Sequence, residues 1–358
     1  MPVSAAVAVA LAAALDALVA EPPARVHPVA LLGRVVAHVD RGGDVETAAS
    51  GWAYPRIVGL LVALALPLGF AFVAAVLVWI ASEAHPWLGA VLAAGVLFST
   101  TSLRLLLDSA RRVIEESDAD LDAARDDLLA LAGRDADSLD AAHVRSAAVE
   151  SLAENLADGL VAPLFSFAVA AGVTSAAEVG LHLPLVAGAG AAAWVKAVNT
   201  LDSMLGYRSK PIGWASARLD DLVMWLPARF SAALLSVVAG APTVALRGDV
   251  RTLARRPSSP NSGWPMATMA VVLPARLYKP GAYDLDPSKP VESAETAAGD
   301  AAPLSDSDPL SDSDPLLDAA PLSDATALPD VASAARAVRL TRRAGALAFG
   351  LAGVLAWF

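Results

Sequence analysis

Apolar residues gather in seven runs, and the polar stretches between them set the first expectations. A helix needs about 20 mostly apolar residues to cross a bilayer. Residues 57–80 form the clearest such run, and residues 87–107 follow with Arg104 near their end. Residues 3–20 also qualify, broken only by Asp16; with no basic start and no clear cleavage site they read as a retained helix. Residues 160–173 and 183–201 are shorter and rich in Ala and Gly. Residues 222–246 are apolar but carry Pro227, Arg229 and Pro242. That pattern predicts a broken or re-entrant helix, which is tolerated where protein or a wet cavity surrounds it. Residues 344–358 form a short apolar end. The expected fold is all-α: a polytopic integral membrane helical bundle of about six to eight spans, with cytoplasmic helical loops.

Charge supports that layout. The connections 81–86 and 174–182 contain no Lys or Arg, whereas 21–56, 108–155 and 202–221 contain four, five and three. Such alternation places the larger polar loops on the cytoplasmic side of a cell membrane. Residues 108–155 are polar and Ala-rich and read as a helical hairpin. Residues 286–330 hold eleven acidic residues and one Lys, nearly all of the chain's net charge of −11. Within them Pro-Leu-Ser-Asp-Ser-Asp repeats with a period of six, a composition too polar to bury a core. Three regions result: 1–283, a membrane domain with its loops; 284–335, an acidic disordered loop; and 336–358, a C-terminal apolar helix.

Composition narrows the chemistry. The chain is 56% hydrophobic with a mean hydropathy of +0.54, above an ordinary soluble domain. It has no Cys, which excludes disulfides and thiolate catalysis. No Walker loop, dinucleotide fingerprint or HExxH motif occurs, and no basic stripe interleaved with aromatics, so nucleic acid is not an expected partner.

Polar clusters beside apolar runs carry the remaining signal, because a charge inside a membrane helix costs at least about 2.5 kcal/mol. The first is Asp16, Glu21 and His27, which alone reads better as a helix end with a Pro-rich exit and a solvated His. The second is Glu150, Glu154 and Asp158, at spacings that stack three carboxylates on one helix face and invite a cation. The third is Lys196, Asn199, Thr200 and Ser203 on one face, with Asp202 pointing elsewhere and Arg208 following. The fourth is Arg218, Asp220 and Asp221, then Arg229; paired Asp suits Mg²⁺ and Arg suits phosphate. A turn-rich stretch with Asn261 and Gly263 offers amide donors to an anion.

Together these motifs resemble the CbiB/CobD-type adenosylcobinamide-phosphate synthases of cobalamin biosynthesis. The likeness runs through Asp16–Pro28, Glu150–Phe165, Lys196–Arg208, Gly213–Arg229 and Ser259–Pro265. Many members carry Glu after the Pro that matches Pro265; here it is Met266. The acidic stretch 286–330 has no counterpart in the resemblance.

The resemblance implies an ATP-dependent, Mg²⁺-dependent membrane amide ligase. It would join adenosylcobyric acid to an aminopropanol phosphate, giving adenosylcobinamide phosphate. Under that reading Glu154, Asp158, Lys196 and Asn199 are catalytic. His27, Arg208, Arg218, Arg229 and Asn261 bind substrate or phosphate, and Asp202, Asp220 and Asp221 hold the metal. Two other readings share the fold: a non-catalytic membrane sensor or accessory protein, and a corrinoid transporter. The full polar set favours the enzyme, and transporters often show internal repeats that this chain lacks. Small residues in 187–193 would let helices pack closely within one chain or between two, as in a homo-oligomer. The cytoplasmic loops could dock other enzymes of the pathway.

Overall fold

The computed structural model describes residues 3–23, 25, 27–50, 53–133, 136–207, 210–288 and 326–357. The acidic repeat 303–315 and Arg208 fall outside the described residues.

The apolar runs fold as expected into packed helices. At the centre α9 (Leu183–Leu205) packs along α3 (Ala53–Ala84), α8 (Ala162–Ala176), α4 (Pro86–Thr100) and α2 (Pro28–Ser50). α1 (Val3–Val19) lies on α4. The α9 sequence allows this because its contact faces are Ala and Gly, which let neighbouring backbones approach. α3 leaves Ile57, Leu61, Phe72 and Val73 exposed along its outer face. An apolar face of that extent is far from water's tolerance and belongs against lipid.

Among the described residues three helices are long and apolar enough to cross a membrane: Pro55–Ala84, Pro86–Ala119 and Ala141–Ala176. A fourth results if the pair Pro211–Val223 and Trp225–Val238, bent by 46°, is one span. Fewer helices than the expected six to eight meet that length and apolarity: of the expected runs, 3–20 makes only a short apolar helix, and 183–201 and 344–358 lie in helices that also carry charged residues. The last turns of α9, with Lys196, Asn199 and Asp202, are also polar.

Several boundaries differ from the sequence reading, each for a local reason. The run 87–107 breaks at Thr101–Ser102, dividing α4 from α5 (Leu103–Ala119). Ser99, Thr100 and Thr101 turn their hydroxyls back onto the Val96 and Leu97 carbonyls, which competes with helix continuation. Asp16, buried in α1, then caps α5: its carboxylate accepts the Leu103 amide at 2.8 Å and the Arg104 amide at 3.1 Å. The buried charge in the first apolar run is therefore a helix cap supplied from another helix.

The polar segment 108–155 is three helices rather than a hairpin: α5, α6 (Leu121–Ala132) and α7 (Ala141–Leu156). Asp120 and Asp140 cap the second and third through the Ala123 and His143 amides. α7 continues through a π-turn, Ala157–Val161, into α8, so residues 160–173 are the far half of one longer helix. Residues 222–246 divide between α10 (Trp214–Val223) and α11 (Trp225–Val238), the elbow lying at Met224. α12 (Gly248–Leu253), α13 (Gly263–Val272) and an antiparallel hairpin of β1 (Leu277–Lys279) and β2 (Tyr283–Leu285) follow.

The last helix, α14 (Val331–Leu355), starts well before residue 344. Its buried stripe is mostly Ala, at positions 334, 337, 344, 348 and 352, interrupted on other faces by four Arg, so it escapes a search for apolar runs. Arg145 fixes its entrance by donating to the Pro329 carbonyl at 3.0 Å while pairing with Asp118 at 2.5 Å.

Candidate active site

Two cavities open along α9's polar end. The smaller, about 400 Å³, lies between the α1–α2 link, the α4–α5 break and α9. Glu21, His27, Ser99–Ser102 and Lys196 line it. The larger, about 800 Å³, lies between the start of α3, the end of α9, α10 and the β hairpin. Asp202 and Asp221 face it.

A polar seam joins them. Lys196 interacts electrostatically with Glu21 on one side and Asp158 on the other. Asn199 stands within hydrogen-bonding reach of both Asp158 and Asp220. Asp220 in turn feels Asp202, Asp221 and Glu154. Lys196, Asn199 and Asp202 come from successive turns of α9; Glu154 and Asp158 come from α7 and its π-turn; Asp220 and Asp221 come from α10. The π-turn has a clear structural role. It frees the Gly159 carbonyl, which accepts the Ser102 amide at 3.0 Å and so ties the second helix break to the first. The approach of α10 needs Gly213, where a Cβ would stand 1.6 Å from the Leu205 carbonyl oxygen.

The α1–α2 link lies outside the spanning helices, and its Glu21 and His27 are both perturbed. Burial pushes the Glu21 carboxyl up, against the pull of Lys196, with Asp16 adding to the rise. Burial, and then the Lys196 charge, holds the His27 imidazole below its ordinary value. Nδ1 of His27 accepts the Val29 amide at 3.2 Å, which assigns the ring proton to Nε2, 3.9 Å from Glu21.

The structure redistributes several expected site residues. The ladder of three carboxylates does not hold. Glu150 is buried and accepts from Ser146 at 2.8 Å and from the Tyr283 hydroxyl at 2.7 Å, so it latches the β hairpin to α7. Met266, where Glu was expected from the resemblance, packs its sulfur 3.7 Å from the same hydroxyl. Glu154 and Asp158 do enter the seam. Thr200 and Ser203 return their hydroxyls to their own helix, at 2.7 and 2.8 Å. Asp202, expected to point elsewhere, faces the larger cavity.

Arg229 lies between Trp225 and Trp264, 4.3 and 4.8 Å from the ring centroids. It also donates to Asn261 at 3.2 Å, and Asn261 donates to the Asp221 carbonyl at 2.7 Å. Arg229 and Asn261 thus form a buttress behind Asp221. Arg218 stands at the cavity with Asp221, 3.6 Å away. Sequence reading passed over Arg56, Lys210, Lys279 and Tyr283, which also line the larger cavity. Each sits alone in its local sequence, with no motif to mark it.

Among the described residues no three carboxylate or imidazole groups are arranged as one metal cage. The expected trio Asp202, Asp220 and Asp221 is therefore not a closed coordination set. The donors still fit Mg²⁺, which is usually held by one or two carboxylates with water and substrate phosphate completing the shell. Among the described residues Oδ1 of Asp220 is buried with no hydrogen-bond partner, which leaves it capacity to accept a donor or a cation.

An all-α polytopic membrane bundle with a half-buried seam of carboxylates, amide and amine is the class that fold and site define. Residues 9–305 match the family described as CobD/Cbib protein, and the chain belongs to that family. It is 35% identical to the probable cobalamin biosynthesis protein CobD of Methanothrix thermoacetophila, over 82% of this chain and 92% of that one. It is 38% identical to the cobalamin biosynthesis protein CobD of Klebsiella pneumoniae, over 75% and 81%. The CobD of Rhodobacter capsulatus is also 38% identical, over 72% and 75%. No solved structure gives a significant match.

Proposed function

We propose that this chain acts in cobalamin biosynthesis as a membrane amide ligase, joining the free carboxylate of adenosylcobyric acid to the amine of an aminopropanol phosphate. The observation that carries the reading is the continuous seam Lys196–Asp158–Asn199–Asp220 between two polar cavities. An amide ligase needs such an arrangement, because two substrates must meet across a site that excludes water.

A carboxylate is a poor acyl donor because its leaving group would be oxide. In the proposed reaction the corrinoid carboxylate oxygen attacks the γ-phosphorus of ATP and ADP leaves. The amine nitrogen then attacks the acyl carbon, forming the C–N bond, and phosphate leaves. Glu154 or Asp158 accepts the proton the amine gives up. Lys196 and Asn199 orient those carboxylates and balance charge as it develops. Asp202 and Asp221, with Asp220, would hold Mg²⁺, which supplies charge neutralisation on phosphate oxygens.

The test is a ligation assay on detergent-solubilised protein with adenosylcobyric acid, aminopropanol phosphate, ATP and Mg²⁺, omitting each in turn. Product of the mass of adenosylcobinamide phosphate, formed only with all four, supports the reading. No product from folded protein, with threonine phosphate and ethanolamine phosphate also tried, overturns it.

A further inference from the structure

The larger cavity has a chemistry distinct from the seam. Four cations converge on it from four separate elements: Arg56 from the start of α3, Lys210 from the α9–α10 link, Arg218 from α10 and Lys279 from β1. Asp202 and Asp221 stand on the same wall. No sequence motif brings these cations together; only the fold does. Lys210 and Arg218 each have an acidic partner. Lys210 pairs with Asp40 at 2.6 Å, and Arg218 with Asp221 at 3.6 Å. The Arg218 side of that pair is exposed and screened by water, so a stronger anion recruits that guanidinium readily.

We infer that this cavity is a phosphate chamber, in which Arg56, Lys210, Arg218 and Lys279 grip the oxygens of a phosphorylated substrate presented to the seam. The inference rests on the ligase reading only for which molecule carries the phosphate, ATP or the aminoalkyl phosphate. The chemistry is shared. Cations from four elements around a concavity suit a multiply charged anion, which point charges and planar guanidinium forks bind by charge-assisted hydrogen bonds. Asp202 and Asp221 would repel that anion if it came alone, so the chamber binds phosphate better with a divalent cation between them. Lys279 rides on the hairpin that Glu150 and Tyr283 latch to α7. The hairpin therefore positions one wall of the chamber relative to Glu154, one helical turn from the latch.

The test uses the full-length protein in detergent and two probes, a non-hydrolysable ATP analogue and aminopropanol phosphate, titrated calorimetrically with and without Mg²⁺. Lys279→Ala and Arg56→Ala, checked for folding by thermal unfolding, are expected to weaken at least one probe about tenfold each, roughly 1.4 kcal/mol. Lys279→Arg recovers most of the loss, and Arg251→Ala, an exposed cation on α12, leaves binding unchanged. The probe affected identifies the carrier. Folded Lys279→Ala and Arg56→Ala proteins that bind both probes with wild-type Kd would overturn the chamber, as would a wild type that binds neither. The two readings fail separately. Probe binding lost in these variants, in a protein that makes no amide, keeps the chamber and removes the ligase. Ligation with unchanged KM for both phosphorylated substrates in these variants keeps the ligase and removes the chamber.

Discussion

Ser102 donates its backbone N–H to the Gly159 carbonyl at 3.0 Å, joining a break between two helices to a π-turn inside a third. A helix break and a π-turn each leave backbone groups without their regular helical partners. Each becomes tolerable because the other is there. The consequence is functional: the break forms a wall of the smaller cavity, and the π-turn carries Asp158 into the seam.

Asp16 completes that junction, and its removal should be felt as stability before activity. Asp16→Ala leaves the Leu103 and Arg104 amides without their acceptor. The expected cost is about 1–3 kcal/mol. Thermal unfolding in detergent would read it as a lowered midpoint, with Asp16→Asn intermediate because an amide oxygen still accepts. Midpoints unchanged in both variants would remove the capping role.

Lys196 and Asp158 should behave as a pair. Lys196→Met leaves the half-buried Asp158 carboxylate without its cation, and Asp158→Asn leaves the half-buried Lys196 ammonium without its anion, so each single variant is expected to unfold at a lower temperature than wild type. The double variant should be more stable than the sum of the singles predicts, by at least about 1 kcal/mol. Additive losses would mean the two groups do not interact. All three proteins should be inactive in ligation.

The α1–α2 link predicts a pH dependence. His27 sits below its ordinary value in the folded protein, so on acidification the unfolded chain takes up its proton first. Stability is therefore lost as pH falls from about 6.5 toward the depressed folded value. Glu21 is raised and acts oppositely, gaining stability as pH falls through its own folded value. Comparing wild type with His27→Gln isolates the imidazole: the variant should lose less stability between about pH 7 and 5.5. Equal slopes would show that His27 titrates alike in the folded and unfolded chains.

Much of the fold was legible because apolar runs report burial directly. Residues 57–80 predicted the core of α3, and 183–201 most of α9. The terminal helix was half hidden because its buried stripe is alanine and its other faces carry arginine. The site was legible in its residue types but not in its grouping. Spacing alone could not separate Glu150 from Glu154, since 3.6-residue periodicity puts both near one face. Only the hairpin, brought in from residues 277–285, claims Glu150. Asp16 showed no capping partner in the sequence because the helix it caps lies 87 positions away in the chain. Arg56 and Lys279 had no local signal, because what joins them is the tertiary fold.

The most direct measurement of the central claim is ligation rate in the same membranes for wild type, Glu154→Gln and Glu150→Gln. The seam account predicts a loss of about 10²–10⁴ in kcat for Glu154→Gln at normal abundance. It predicts turnover close to wild type for folded Glu150→Gln, whose defect should be a lowered unfolding midpoint. Wild-type turnover by Glu154→Gln, or equal catalytic loss in both folded variants, would contradict it.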